Sequence, residues 1–208
     1  MRKKHVFPSW AGTWLLNPLR KARLNPEKIL GPHVEAGMTI LDAGCGTGFF
    51  SIPLARMTGS TGTVYCADPQ QSMLEVLSKR ARKRGLSDIV KIRPCGYSSL
   101  RVDDLRERVD VALAFGVLHE VENKDAFLRQ IESTLKPEGI LCFGEPHVVS
   151  SKEFDREVAA IEEKGFERFG TWRQAQNKIV FMRKRCGAPR SGPMGETPDR
   201  PPGGTTFT

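Results

Sequence analysis

An acidic residue and three regularly spaced glycines are the residues in this chain best suited to chemistry. Asp42 follows the apolar run from Met38 to Leu41, and Gly44, Gly46 and Gly48 come next at every second position. The apolar run predicts a buried strand, and the apolar residues that resume at position 49 predict a helix with Pro53 near its first turn. Glycine permits a tight turn and lets a ligand approach the bare backbone. The stretch therefore predicts the first strand, turn and helix of a nucleotide-binding α/β sheet.

The glycine spacing distinguishes between nucleotide ligands. A dinucleotide fingerprint requires G-x-G-x-x-G, but Phe49 occupies its last glycine position, and the phosphate-binding G-x-x-x-x-G-K-[ST] pattern does not occur. An acid before the glycines suits a cationic ligand group. The pattern resembles motif I of the class I S-adenosylmethionine (SAM)-dependent methyltransferases, which implies that Asp42, Gly44, Cys45, Gly46 and Gly48 bind SAM. A glycine-rich turn without a ligand is the alternative.

Asp68 is the second candidate for cofactor binding. It closes a run rich in β-branched and aromatic residues, Gly62 to Ala67, which predicts the second strand, and it lies 20 positions after Gly48. An acid at this place can accept hydrogen bonds from both ribose hydroxyls. The alternative is that Asp68 caps a helix predicted over 70–83.

The predicted helix over 70–83 ends in a cluster of cations. The five residues Lys79, Arg80, Arg82, Lys83 and Arg84 are interpreted as a solvated face. The resemblance adds Pro69 and Met73 to the expected cofactor contacts.

The adenine contacts depart from the family pattern. Methyltransferases often place an acid shortly after strand three, which is predicted over 88–93, but this chain has Cys95, Gly96, Tyr97 and Ser98 there. We expect Gly96 and Tyr97 to contact the cofactor. The adenine would be bound by Ser98, by backbone groups or mainly by ring stacking. Phe115, at the end of the predicted fourth strand, completes the expected cofactor set.

His119 is the candidate general base. SAM carries its own leaving group, so methyl transfer needs mainly alignment, and a base is required only where the acceptor must lose a proton. His119 follows strand four and titrates near neutrality. The alternative is a histidine satisfied by backbone groups in a short helix. Glu145 and His147, after strand five, are further candidates for acceptor contacts.

Seven strands with intervening helices are predicted between residues 35 and 183, the last two as an antiparallel pair. A helix over 124–135 is broken by Lys136 to Gly139, and strand five is expected from Ile140. Leu135-Lys-Pro-Glu-Gly139 is a frequent companion motif of class I methyltransferases, and the combination is similar to the quinone-biosynthesis C-methyltransferase branch. The resemblance implies an α/β, Rossmann-like, mostly parallel sheet of order 3-2-1-4-5-7-6, with strand seven antiparallel and helices on both faces.

The two ends differ in composition from the body. Residues 1–34 form the expected N-terminal segment, and within it we predict that residues 6–24, with Trp10 and Trp14, form a lid that lines the acceptor pocket. A weak membrane-surface anchor, or packing against the sheet edge, is the alternative. Residues 35–186 are the expected SAM-binding domain. Residues 187–208, rich in proline and glycine, are expected to be a disordered tail.

Charge and cysteine content narrow the function further. The formal net charge of +8 is concentrated in residues 1–28 and 183–208, so the body is near neutral and no specific nucleic-acid partner is expected. Five cysteines without a C-x-x-C pair suit a reduced, cytoplasmic protein, and we expect no metal site.

The predicted activity is methyl transfer to a small molecule. A non-catalytic SAM-binding module and a methyltransferase for RNA or protein are the alternatives, and the oligomeric state is left open.

Overall fold

A computed structural model describes residues 24–146, 148–174 and 177–186. The described residues contain a seven-stranded sheet of order β3-β2-β1-β4-β5-β7-β6. Strands β1 to β5 are parallel to one another, and β7 is antiparallel to both of its neighbours, β5 and β6. The predicted fold class is confirmed. The strands are β1 Thr39–Ala43, β2 Thr63–Asp68, β3 Val90–Pro94, β4 Val109–Phe115, β5 Leu135–Glu145, β6 Phe166–Gln174 and β7 Asn177–Lys184.

Five α-helices lie within the described residues: α1 Pro26–Leu30, α2 Ser51–Thr58, α3 Gln71–Arg82, α4 Lys124–Thr134 and α5 Ser151–Glu162. Capping side chains set several of their starts. Asn25 accepts hydrogen bonds from the backbone at the start of α1, where Pro26 occupies the first position, and Ser150 caps α5.

The helices bury their apolar sides on the two faces of the sheet. One face holds a core with Ile29, Leu54 and Leu77 from helices α1 to α3. The other face holds a core with Ile131 from α4 and Ile161 from α5. The result is a three-layer arrangement in which both faces of the sheet are covered, as parallel sheets require.

The fifth strand differs from its prediction. It begins at Leu135 rather than Ile140, because Leu135 pairs with Val109 and Ile140 pairs with Val111. Four residues, Lys136 to Gly139, bulge out between those two pairs, and Glu138 has a φ of 63°. The Lys-Pro-Glu-Gly segment therefore interrupts a strand, whereas the sequence suggested that it only ended a helix.

All five cysteines are free thiols, and Cys45, Cys66 and Cys142 are buried. Among the helices of the described ranges, none has the length and apolar content needed to cross a bilayer.

Candidate active site

The carboxyl ends of the parallel strands bring the candidate residues to one edge of the sheet. Asp42 pairs with Cys66 across β1 and β2, so Asp68 lies just beyond the glycine-rich turn that follows β1. Phe115 pairs with Gly144 across β4 and β5, which places Glu145 at the end of β5 and His119 shortly after the neighbouring end of β4. Ligands of open α/β sheets bind at this edge, where the strand order reverses.

The glycine-rich turn is held against β2. The backbone N–H groups of Gly44 and Cys45 donate to the carbonyl of Ala67 at 2.8 and 3.1 Å. A Cβ atom at Gly44 would lie 2.7 Å from the side chain of Val117, so no larger residue fits there. Gly46 has a φ of 52° and faces open space, with no atom within 4 Å of the position that a Cβ would occupy. Its backbone is therefore the part of the turn that a ligand can approach closely.

Asp68 ties the turn to the end of β2. Its Oδ2 accepts a hydrogen bond from the N–H of Gly46 at 2.9 Å, and its Oδ1 accepts one from the N–H of Gln70 at 2.8 Å. The N-cap of α3 is Gln70, so Asp68 is not the cap residue considered from the sequence. Burial raises the pKa of Asp68, and the two backbone hydrogen bonds oppose that rise. A carboxylate has about four acceptor positions, so two remain for a ligand's hydroxyls.

Asp42 lies beneath the turn and is buried. The hydroxyl of Ser51, the first residue of α2, donates to its Oδ2 at 2.5 Å. Burial raises the pKa of Asp42 to about 7, the hydrogen bond from Ser51 opposes the rise, and the nearby charge of Asp68 adds to it. Asp42 therefore changes charge near neutral pH. A cationic ligand beside it would favour the ionised form.

The other residues predicted to contact the cofactor surround this edge. Cys45 and Met73 are buried, Pro69 and Phe115 are half-buried, and Tyr97 is exposed. Phe115 packs against Phe50, with ring centroids 5.0 Å apart. Gly96 donates its N–H to the carbonyl of Ser99 at 2.9 Å. Burial and the neighbouring Cys66 raise the pKa of Cys45, which keeps this thiol protonated and unreactive.

His119 is held by Glu145. Its Nδ1 lies 2.7 Å from Oε2 of Glu145, and its backbone N–H donates to Oε1 of the same carboxylate at 3.2 Å. The hydrogen bond to Glu145 raises the pKa of His119, partial burial opposes this rise, and the charges of Glu145, Glu120 and Glu157 add to it. An ionised carboxylate only accepts hydrogen bonds, so the Nδ1 atom carries the proton and Nε2 is left with a lone pair.

This geometry corrects two expectations about the pair. The sequence left His119 either as the candidate base or as a histidine satisfied by backbone groups, and its ring partner is instead the side chain of Glu145, 26 residues away. Glu145 was expected to contact the acceptor, but its side chain is 1% exposed and both its oxygens accept hydrogen bonds from His119. Glu145 therefore positions His119.

Arg80 was interpreted as part of a solvated face, and that interpretation is wrong. Its Nη1 donates to the carbonyl of Thr47 in the glycine-rich turn, and burial lowers the pKa of this half-buried guanidinium. Helical spacing carries the signal that was missed, because Met73, Leu77 and Arg80 recur at i, i+4 and i+7 on one face. The hydroxyl of Thr47 is also buried, without a hydrogen-bond partner in the described part of the chain.

Three predicted substrate residues, Trp10, Trp14 and His147, lie outside the described residues, as do residues 6–23 of the predicted lid and the tail 187–208. Leu24, the last residue of the predicted lid, is described and is buried. Across the ranges that are described, no group of three or more His, Cys, Asp or Glu side chains is arranged to hold a metal ion.

The sequence matches the model of a methyltransferase domain over residues 34–185. The chain therefore belongs to the methyltransferase-domain family, and its fold and glycine motif make it a class I SAM-dependent methyltransferase. The ubiquinone/menaquinone biosynthesis C-methyltransferase UbiE of Cellvibrio japonicus is 37% identical over 127 residues, which are 59% of this chain and 50% of that protein. The chain spans about half the length of the curated relatives it matches.

Solved structures share the fold. A SAM-dependent methyltransferase from Aquifex aeolicus superposes with a TM-score of 0.76 at 23% identity and covers 86% of this chain and 100% of that one. The [4+2]-cyclase SpnF superposes with a TM-score of 0.68 at 19% identity, covering 78% of this chain and 82% of that one. Because a protein named as a cyclase has this fold, the likeness establishes the architecture and not the reaction.

The described residues fit SAM as the family's cofactor. Gly46 leaves space where a ligand can lie against the backbone, and Asp68 retains acceptor capacity for ribose hydroxyls. Asp42 supplies a negative charge beneath the turn, which suits a ligand that carries cationic sulfonium and ammonium groups.

Proposed function

We propose that this protein transfers the methyl group of SAM to a small-molecule acceptor that loses a proton to His119. The observation that carries the proposal is the hydrogen bond from His119 to the buried Glu145, which leaves Nε2 as the proton-accepting atom. When bound, SAM supplies an electrophilic methyl group and its own leaving group. The chain then has to orient the acceptor, remove its proton and exclude water.

The assignment of residues follows the sheet edge. We propose that Asp42, the glycine-rich turn and Asp68 hold SAM, with Pro69, Met73, Gly96, Tyr97 and Phe115 near its other groups. His119 accepts the acceptor's proton at Nε2, and Glu145 fixes the tautomer through Nδ1. Glu120, whose Oε1 lies 3.8 Å from Nε2, stabilises the imidazolium after proton transfer.

Two observations support a proposal for the acceptor, namely the names of the relatives and the chemistry of a deprotonated hydroxyl. The curated relatives are named as quinone-biosynthesis C-methyltransferases. An acceptor hydroxyl that loses its proton can direct methylation to an adjacent ring carbon, which then loses its hydrogen as a proton while the oxygen is reprotonated. We therefore propose a hydroxylated aromatic acceptor.

We propose that the N-terminal segment 1–34 covers the acceptor pocket, with Trp10 and Trp14 in the part over residues 6–24. The domain proper is proposed to span residues 35–186, with 187–208 as a tail.

Methyl transfer from labelled SAM tests this proposal directly. The full chain and a His119→Gln variant are incubated with small-molecule, lipid, RNA and protein fractions of a cell extract. We expect label in the small-molecule or lipid fraction, and we expect the variant to lose roughly 100-fold or more of the rate, because His119 accepts the acceptor's proton. Binding of SAM by isothermal titration calorimetry should be equal for both proteins. Transfer only into RNA or protein would contradict the proposed acceptor class.

A further inference from the structure

A cavity lined mainly by α5, with the first residue of α4, reaches the loop that carries the candidate base. Its volume is about 400 Å³, and its walls include Leu118, which immediately precedes His119, and Ser150, which follows β5. Both residues belong to loops at the carboxyl ends of parallel strands, the edge at which α/β proteins bind ligands. A cavity of this size lies within the range that holds small molecules.

The charged lining of the cavity comes from α4 and α5. Lys124, Lys152 and Arg156 supply three cations, and Glu153 and Glu157 supply two carboxylates. Lys124 is already paired, because its Nζ lies 2.5 Å from Oε1 of Glu157 and 3.9 Å from Oε1 of Glu153. Lys152 and Arg156 make no ion pair or hydrogen bond with any residue in the described ranges. They are four positions apart on α5 and therefore share one face.

Glu157 distinguishes this cavity from an ordinary solvated helix face. The residue is only 3% exposed, and its Oε2 is buried without a hydrogen-bond partner among the described residues. A buried acceptor without a partner is costly and calls for an explanation. A hydroxyl group of a ligand in the cavity would supply the missing donor. The two unpaired cations would bind an anionic group of the same ligand.

We infer that this cavity is the acceptor subsite and that it selects a hydroxylated organic acid. The acid group binds Lys152 and Arg156, and a hydroxyl other than the one deprotonated by His119 donates to Glu157. The inference rests on the proposed function, which it refines by adding an acidic group to the acceptor. Leu118 and Ala160 supply apolar wall area for the ligand's carbon skeleton.

Three matched probes test the subsite, namely 3-hydroxybenzoate, the neutral 3-hydroxybenzamide, and benzoate, which lacks the hydroxyl. Each is titrated by ligand-observed NMR against the full chain saturated with S-adenosylhomocysteine. We expect 3-hydroxybenzoate to bind more tightly than either of the others. The double variant Lys152→Gln/Arg156→Gln should weaken 3-hydroxybenzoate about tenfold or more and leave the amide unchanged. The control Arg82→Gln/Lys83→Gln, on the other face of the sheet, should change neither.

Glu157→Gln replaces the unpartnered acceptor with an amide and should remove the preference for 3-hydroxybenzoate over benzoate. If this variant fails to fold, the comparison of the two acids on the unmodified protein still tests the hydroxyl contact. Equal binding of acid and amide, no effect of the double variant, or no binding of any probe would overturn the inference.

Two measurements distinguish a failure of the proposed methyl transfer from a failure of the proposed subsite. SAM affinity and labelled methyl transfer are measured on the same double variant, which should keep SAM affinity and kcat and raise KM for acidic acceptors. Binding of the probes as expected without any methyl transfer would overturn the proposed function alone. Methyl transfer that is indifferent to the double variant would overturn the subsite alone.

Discussion

Glu145 holds His119 through both of its carboxylate oxygens, one on the ring Nδ1 at 2.7 Å and one on the backbone N–H at 3.2 Å. The two contacts fix the position of the residue and the orientation of its ring together. Because the carboxylate is almost fully buried, water competes little for it and the interaction is stronger than on the surface. A base prepared in this way needs no rearrangement before it accepts a proton.

The pH dependence of methyl transfer should reveal the effect of Glu145 on the pKa of His119. Glu145 raises the pKa of His119 above the ordinary value of 6.5, and only the neutral imidazole is a base. The rate should therefore rise with pH to a plateau, with a midpoint above 6.5. Glu145→Gln removes the largest cause of the rise, so the midpoint should move to lower pH and the plateau rate should fall. Glu120→Gln, a contact at 3.8 Å, is the matched control and should move the midpoint less. A midpoint unchanged in Glu145→Gln would refute the pairing as the source of basicity.

Burial of Asp42 should make the ligand-free protein less stable as pH rises. Its native pKa is about 7, against 3.8 in the unfolded chain. Between these values the native state holds a proton that the unfolded state has lost, so its contribution to stability is largest below pH 3.8 and decreases up to pH 7. The slope is about 1.4 kcal/mol per pH unit inside the window. Asp42→Asn should remove this slope, which urea unfolding between pH 5 and 7 can measure. Parallel slopes in both proteins would contradict the assignment.

Binding of SAM should depend on the same proton. A cationic ligand favours ionised Asp42, so SAM affinity should increase as pH rises through about 7. Calorimetry in buffers of different ionisation enthalpy should record proton release on binding near pH 6. Asp42→Asn should bind more weakly and without that pH dependence. Adenosine, which has no sulfonium or amino acid group, should bind both proteins with little dependence on pH.

Asp68 should discriminate ribose from deoxyribose. In the ligand-free site it accepts hydrogen bonds from Gly46 and Gln70. Replacing it with alanine therefore loosens the turn as well as removing a ligand contact. The control is the ligand: S-adenosylhomocysteine is compared with its 2′-deoxy analogue on both proteins. We expect the unmodified protein to prefer the ribose form by roughly tenfold, and Asp68→Ala to lose that preference. An equal preference in both proteins would show that Asp68 serves the turn and not the ribose.

Most of the fold could be predicted because its determinants are local. Apolar runs mark the parallel strands, and Asn25 and Ser150 mark helix starts. The end of β2 at Asp68 could be located for the same reason, whereas β1 continues one residue beyond the predicted end at Asp42, to Ala43. The pairing of His119 with Glu145 could not, because it depends on the register between β4 and β5, which no local pattern encodes. The bulge in β5 depends on the same register.

Arg80 was missed for a different reason. Its neighbours Lys79 and Arg82 to Arg84 form a charged cluster, and charge at a helix end ordinarily faces solvent. Helical spacing places Arg80 on the buried face of α3, and the position of the glycine-rich turn above α3 identifies its partner, a backbone carbonyl. Amphipathic residues can bury their stems while the charged head finds a partner.

Removing the Arg80 guanidinium should therefore weaken SAM binding without abolishing the fold. Arg80 donates to the carbonyl of Thr47, within the turn whose backbone faces the ligand space at Gly46. Losing a charge-assisted hydrogen bond to a half-buried carbonyl costs about 1.5 to 3 kcal/mol. Part of this cost should appear as a SAM Kd raised roughly five- to thirtyfold, because the ligand must then order a looser turn.

Three variants separate the effect of this contact from a general loss of charge. Arg80→Lys keeps a donor and should restore part of the affinity, whereas Arg80→Ala should not. Lys83→Ala removes an exposed cation from the same helix end and should leave SAM affinity unchanged. Hydrogen exchange of the amides of Gly46 and Gly48 should accelerate in Arg80→Ala and not in Lys83→Ala. Slow exchange at both glycines in Arg80→Ala, with unaltered SAM affinity, would mean that the turn keeps its conformation without the arginine.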